Sequence, residues 1–157
     1  MATQTVTRLS ALAFAAVIAT LVFGTSTPAS GAGSWIDYGA TACEKYLTPD
    51  VLASILSNPA GRPGKVDAHT CNVGPIYITL SVADINEFRR EIPRIAGAHP
   101  ISGFGDAAYW NEAGAFSSVK GNRGCKISVI DPGAAKIHNA ELGQKLGDIC
   151  NKLFALP

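Results

Sequence analysis

The chain has 157 residues, with 13 basic and 12 acidic side chains and a formal net charge of +1. This balance offers no basic surplus or stripe with which to recruit a phosphate backbone, which excludes a dedicated nucleic-acid binder. Its one long apolar run lies at the N-terminus and is short for a membrane span of roughly 20 residues, which weighs against an uncleaved anchor.

Residues 1–32 read as a secretory signal. Arg8 supplies the positive start, residues 9–23 are apolar apart from Ser10 and Thr20, and residues 24–32 are small and contain Pro28. Ser30-Gly31-Ala32 places small residues at both recognition positions, so cleavage is expected after Ala32. Arg8 is the only charged residue before Ser34, so the mature chain carries twelve basic and twelve acidic side chains. Residues 33–157 suit a single domain. The expected location is the periplasm or the medium. The first cysteine, Cys43, lies too far from the apolar run to be lipidated at the cut.

Residues 35–46 have helical spacing (Ile36, Ala40, Cys43, Leu47) despite Gly39. Thr48-Pro49-Asp50 starts a second helix, with Thr48 as N-cap and Pro49 in its first turn, and Asn58-Pro59 ends it. Residues 60–64 form a Pro/Gly turn region. Residues 65–73 alternate weakly and residues 76–81 clearly, which predicts a hairpin turning at Gly74-Pro75. Asp84 with Glu87 three residues on has capping-box spacing, and Ile85, Phe88, Ile92 and Ile95 follow as a helical stripe broken near Pro93. Residues 97–106 read as a loop. Residues 107–111, 115–120 and 125–130 predict a three-stranded meander, joined at residues 112–114 and 121–124. Asp131-Pro132 caps a final helix expected over residues 133–154. The order predicts an α+β fold: an antiparallel sheet of about five strands, covered on one side by helices and held by two disulfides.

Four cysteines in an exported chain imply two bridges, with three connectivities open. Helix and strand phase favour one of them. Cys150 lies on the stripe Leu142, Leu146, Ile149, Leu153, and Cys125 shares a strand face with Ile127 and Val129. Pairing Cys125 with Cys150 would pin the last helix to the sheet and leave Cys43 for Cys71. Each bridge closes a loop worth roughly 3.5 kcal/mol in the chain-entropy model. There is no C-x-x-C and no Cys/His spacing for zinc, so neither a metal nor another cofactor is expected.

The most conspicuous stretch is Ser102-Gly103-Phe104-Gly105-Asp106. It is a possible binding loop, together with Trp110, yet it matches neither phosphate-loop pattern and also reads as a loop that needs positive φ before a strand. His99, Ser102 and Asp106 hold the letters of a catalytic triad, but three positions in one loop rarely reach triad geometry. A small hydrolase would need them to meet Glu112 or His138 in one cleft. His69 reads as a strand residue facing solvent. Tyr109 and Trp110 face opposite sides of a strand and, with Phe116, could form an aromatic patch or ordinary packing. Arg89, Arg90 and Arg94 interleave with Glu87 and Glu91, which points to a solvated, salt-bridged face.

Cys43 before Leu47-Thr48, Cys71 in a strand, Gly103-Phe104-Gly105-Asp106-Ala107-Ala108 and Lys120-Gly121-Asn122 together resemble a broad group of small exported bacterial proteins and lipoproteins of unknown function. Their pattern runs C-x-L-L-T, C, G-L-G-D-x-A, V-x-K-G-N, and the resemblance covers most of residues 40–155. It implies an α+β envelope protein and carries over no site residues. This chain departs from the lipoprotein members in lacking a lipid-attachment cysteine. The expected function is a non-enzymatic exported domain that binds an envelope protein or a small ligand, with no catalytic residues. The alternatives are a small hydrolase, or an inhibitor of a secreted hydrolase presenting a rigid exposed loop at residues 100–106 or 121–124.

Overall fold

A computed structural model describes residues 34–136 and 139–157. The expected export signal and His138 lie outside the described residues. The described chain forms two meanders that meet at the centre of one sheet. The first comprises β1 (Pro63–Lys65), β2 (Thr70–Val73) and β3 (Ile76–Val82). The second comprises β4 (Ala98–Pro100), β5 (Ala107–Asn111), β6 (Ala115–Lys120) and β7 (Arg123–Val129). A crossing helix, α3 (Ile85–Glu91), carries the chain from the centre to the far edge, so the last strand returns to lie beside β3. The strand order is β1-β2-β3-β7-β6-β5-β4, antiparallel throughout.

The alternation in the sequence sets the faces. Ile76, Ile78 and Leu80 point into the core, with Ile127 paired to Ile78 and Phe116 paired to Ile127 across the ladder. Tyr77, Thr79 and Ser81 take the other face, where Thr79, Lys126, Ser117 and Tyr109 lie in register across four strands.

The sheet has seven strands rather than about five. The extra strands are its two edges, drawn from segments that read as a turn and a loop. Each is three residues long and contains a proline, Pro63 or Pro100. Proline cannot donate to a ladder and is tolerated at an edge, where it also discourages pairing with another chain. Strand pairing in so short a segment comes from its neighbour rather than its own alternation. The weak strand expected over residues 65–73 is split by a turn in which Val66 N–H donates to the Thr70 carbonyl at 2.9 Å. The Asp67 carboxylate accepts from His69 N–H there at 2.7 Å, a backbone bond that lowers its pKa. The last hairpin turns on two residues, Gly121-Asn122, because Lys120 pairs with Arg123. Gly121 has φ +59, the conformation glycine supplies at the first central position of such a turn.

The core face is covered by helices. After a 3-10 turn at Trp35–Tyr38 come α1 (Gly39–Tyr46) and α2 (Pro49–Ile55). Thr48 caps α2, its hydroxyl accepting from Val51 N–H at 3.5 Å, with Pro49 in the first turn. Gly39, a weak point in a helical reading, packs so close to the His69 carbonyl that a Cβ would collide with it. The final helix, α4 (Ala140–Phe154), starts later than expected. Its cap is Asn139, whose side chain accepts from Glu141 N–H at 2.9 Å and Leu142 N–H at 3.4 Å. Asp131 caps only a 3-10 turn, accepting from Gly133 N–H at 3.0 Å, and Ala135 then bridges to Leu56 as an isolated β pair. On α4 the stripe Leu142, Leu146, Ile149, Cys150 and Leu153 is buried as its spacing requires.

Both bridges are formed as phase suggested, Cys43–Cys71 and Cys125–Cys150, each with Cα atoms 5.8 Å apart. The first ties α1 to β2 and the second ties α4 to β7. The helical cover is not confined to one face, because α3 lies on the other. Phe88 of α3 meets Tyr109 there with ring centroids 5.9 Å apart, and no residue of α3 is fully buried. No helix among the described residues is long and apolar enough to cross a membrane.

Candidate functional site

The stretch from Ser102 to Asp106 connects β4 to β5, with Ile101 N–H donating to the Ala108 carbonyl at 3.1 Å to close the pair. Phe104 turns inward to 9% exposure and meets the Phe116 ring edge-on at 5.5 Å. It lies on Gly147 of α4, where a Cβ would stand 2.6 Å from its ring. Gly105, at φ +67, lets the chain pass over β6 where a side chain would strike the Val119 carbonyl. Asp106 then works at both ends. Its N–H donates to the Val119 carbonyl at 2.7 Å, and its carboxylate accepts from Gly121 N–H at 2.7 Å. Arg89 of α3 donates to the Asp106 carbonyl at 3.0 Å, and Asn151 of α4 donates to the Gly103 carbonyl at 3.0 Å. Most of the loop's chemistry is thus committed to the fold. Ser102, Gly103 and the neighbouring hairpin tip Lys120-Gly121-Asn122 remain exposed.

The letters of the triad are not brought together. His99 lies seven positions along the chain from Asp106 and opposite Trp110 in the β4–β5 pair, and Trp110 is itself four positions, or about 13 Å of extended chain, beyond Asp106. The Asp106 carboxylate is turned to the hairpin tip instead. His99 stacks on Trp110 at 4.8 Å between centroids, with Nε2 3.8 Å from a Glu112 carboxylate oxygen. His69 lies in the turn before β2 and is half-buried rather than solvent-facing; its Nδ1 is buried without a hydrogen-bond partner among the described residues.

Tyr109 and Trp110 are both half-buried, one under Phe88 and the other between His99 and Gly143 of α4. Trp110 is also paired with Phe116 across the ladder. In the arginine group, Glu91 holds Arg90 at 2.9 Å and Arg94 at 3.3 Å, and the Glu91 carboxylate raises the Arg90 pKa. Arg89 leaves that group to hold the loop. Among the described residues no group of three or more His, Cys, Asp or Glu side chains is placed to hold a metal ion.

The sequence reading anticipated none of the grooves, among them one on α1 and one beneath α3. The larger, about 400 Å³, runs along the outer face of α1 between Tyr38, Thr41, Glu44, Lys45 and Tyr46, and the tail residue Leu156. The recurrence of polar and aromatic residues at 38, 41, 45 and 46 was the available signal, a second stripe beside the apolar one. The other, about 200 Å³, lies beneath α3 between Phe88 and Ile92 above and Ser81, Ser117 and Lys126 below.

These features define a small antiparallel α+β domain, stapled twice by sulfur, with one loop latched to a neighbouring hairpin. No family model, no curated protein and no solved structure matches this chain.

Proposed function

We propose that this is an exported, non-enzymatic bacterial domain that recognises a partner in the cell envelope. Residues 1–32 act as a removable signal, and the protein works in the periplasm or outside the cell. Two buried disulfides and the lack of a membrane-length apolar helix among the described residues are compatible with that compartment.

The observation that carries the reading is the latch between Asp106 and Gly121. Asp106, one letter of the triad, is used to fix two loops against each other, while the loop tips stay exposed at Ser102 and Asn122. Rigid exposed tips cost little ordering entropy on binding, which suits recognition of another protein. The same rigidity favours a second reading, inhibition of a secreted hydrolase, because a latched loop resists the local opening that proteolysis requires.

The test is capture of envelope proteins by the oxidised exported protein, run beside a Ser102→Ala/Asn122→Ala variant of equal stability. A defined partner lost with the variant supports the reading. Equal capture by both, or capture of nothing, overturns it. Inhibition of the captured enzyme would select the second reading.

A further inference from the structure

We propose that the groove on the outer face of α1 is a saccharide site, taking a neutral disaccharide laid along the stripe between its two tyrosines. Tyr38, Thr41, Ala42, Lys45 and Tyr46 recur at intervals of three and four, so they share one stripe of the helical segment. The tyrosines are separated by about 12 Å of helix. Leu156 lines the groove from the C-terminal tail, and its open space of about 400 Å³ is of small-ligand size.

The fold uses few of the polar groups in this groove. Glu44 makes no hydrogen bond or ion pair among the described residues, and neither tyrosine hydroxyl has a hydrogen-bond partner there. The Thr41 hydroxyl makes only a long bond, donating to the Tyr38 carbonyl at 3.4 Å. The Lys45 ammonium stands 5.3 Å from the Tyr46 ring centroid.

Glu44 and Lys45 put one charge of each sign at the groove, so its lining has no net charge to favour a purely cationic or purely anionic ligand. A neutral polyol satisfies both, donating hydroxyl hydrogens to the carboxylate and accepting from the ammonium. The apolar C–H face of a pyranose lies flat on a tyrosine ring, which offers apolar area with a polar tip. This site shares no residue with the loop tips of the partner reading, so either can fail while the other stands.

The test is an amide-resolved NMR titration of the oxidised exported protein with cellobiose and with N,N′-diacetylchitobiose, with choline chloride as a cationic control. Saturable shifts at Thr41, Glu44, Tyr46 and Leu156 with at least one disaccharide are expected. Tyr38→Ala should weaken that binding about tenfold, as loss of one well-packed aromatic contact does. Glu44→Ala, at an exposed position that leaves the fold untouched, should weaken it as well. No saturable shift with either sugar, shifts confined to another surface, or choline acting where the sugars do not would each overturn the proposal.

Discussion

The Asp106 carboxylate accepts a 2.7 Å hydrogen bond from the backbone N–H of Gly121, joining the β4–β5 loop to the tip of the β6–β7 hairpin. The two pieces of sequence that looked most like separate signatures are therefore one device. A charge-assisted bond to an exposed loop amide contributes about 1 kcal/mol. Asp106→Ala should lower stability by about that amount in urea titration, and Gly121 should lose protection in amide exchange. Asp106→Asn should lose less, since its amide oxygen can still accept.

Gly147 gives α4 its close approach to Phe104. Gly147→Ala should cost about 1–3 kcal/mol, the usual range for overpacking a core. A Phe104→Leu change placed on that background should recover part of the loss. The readout is the denaturation midpoint of the single and double variants.

Ser118 is 1% exposed, and its hydroxyl has no hydrogen-bond partner among the described residues. It faces the core between Ala108 and Cys125 in the ladder. Removing an unsatisfied buried hydroxyl relieves its desolvation penalty, so Ser118→Ala should raise stability by about 1 kcal/mol. A lower melting temperature for the variant would mean that the hydroxyl is satisfied in solution.

Asp84 caps α3, accepting from Asn86 N–H at 2.7 Å and Glu87 N–H at 3.0 Å. The Glu87 and Asn86 amides hold its carboxyl below the ordinary value of 3.8. A carboxylate with a depressed folded pKa stabilises above its unfolded pKa and loses that contribution as pH falls through the folded value. Helicity of α3 should therefore fall with acid below about pH 3.8, and Asp84→Ala should remove that dependence while weakening the helix at neutral pH. Amide shifts of residues 85–91 followed against pH provide the measurement.

Much of this fold was written in local patterns. The Cys150 stripe and the Cys125 strand phase favoured the observed disulfides over the other two pairings, because a bridge needs both thiols on facing surfaces. Thr48-Pro49 and Asp84 marked their helix starts by cap chemistry. What escaped was non-local. β1 and β4 pair only because a neighbour offers a ladder, so three-residue segments with a proline gave no alternation to read. The start of α4 slipped because Asp131-Pro132 and Asn139 are both competent starts, and Ala135 is drawn away to pair with Leu56. The loop at Ser102 to Asp106 was visible as special, but its partners are Gly147, Gly121 and Arg89, and no spacing in one sequence links them.

The bridges themselves predict a difference. Cys125→Ser/Cys150→Ser frees α4 from the sheet and should cost up to about 3.5 kcal/mol, with measured effects commonly smaller. Released α4 would also unseat Phe104 and loosen the loop, so Gly121 should lose protection in this variant too. Cys43→Ser/Cys71→Ser should cost a similar amount but leave the loop protected, since that bridge ties α1 to β2 whereas the loop is held by α3, α4 and the β6–β7 hairpin.

Export and covalent stapling underlie the proposed setting, and non-reducing peptide mapping of the native protein tests both at once. The account predicts a mature N-terminus close to Gly33 and only two linked peptide pairs, Cys43 with Cys71 and Cys125 with Cys150. Free thiols at these positions, other pairings, or a retained N-terminal leader would contradict it.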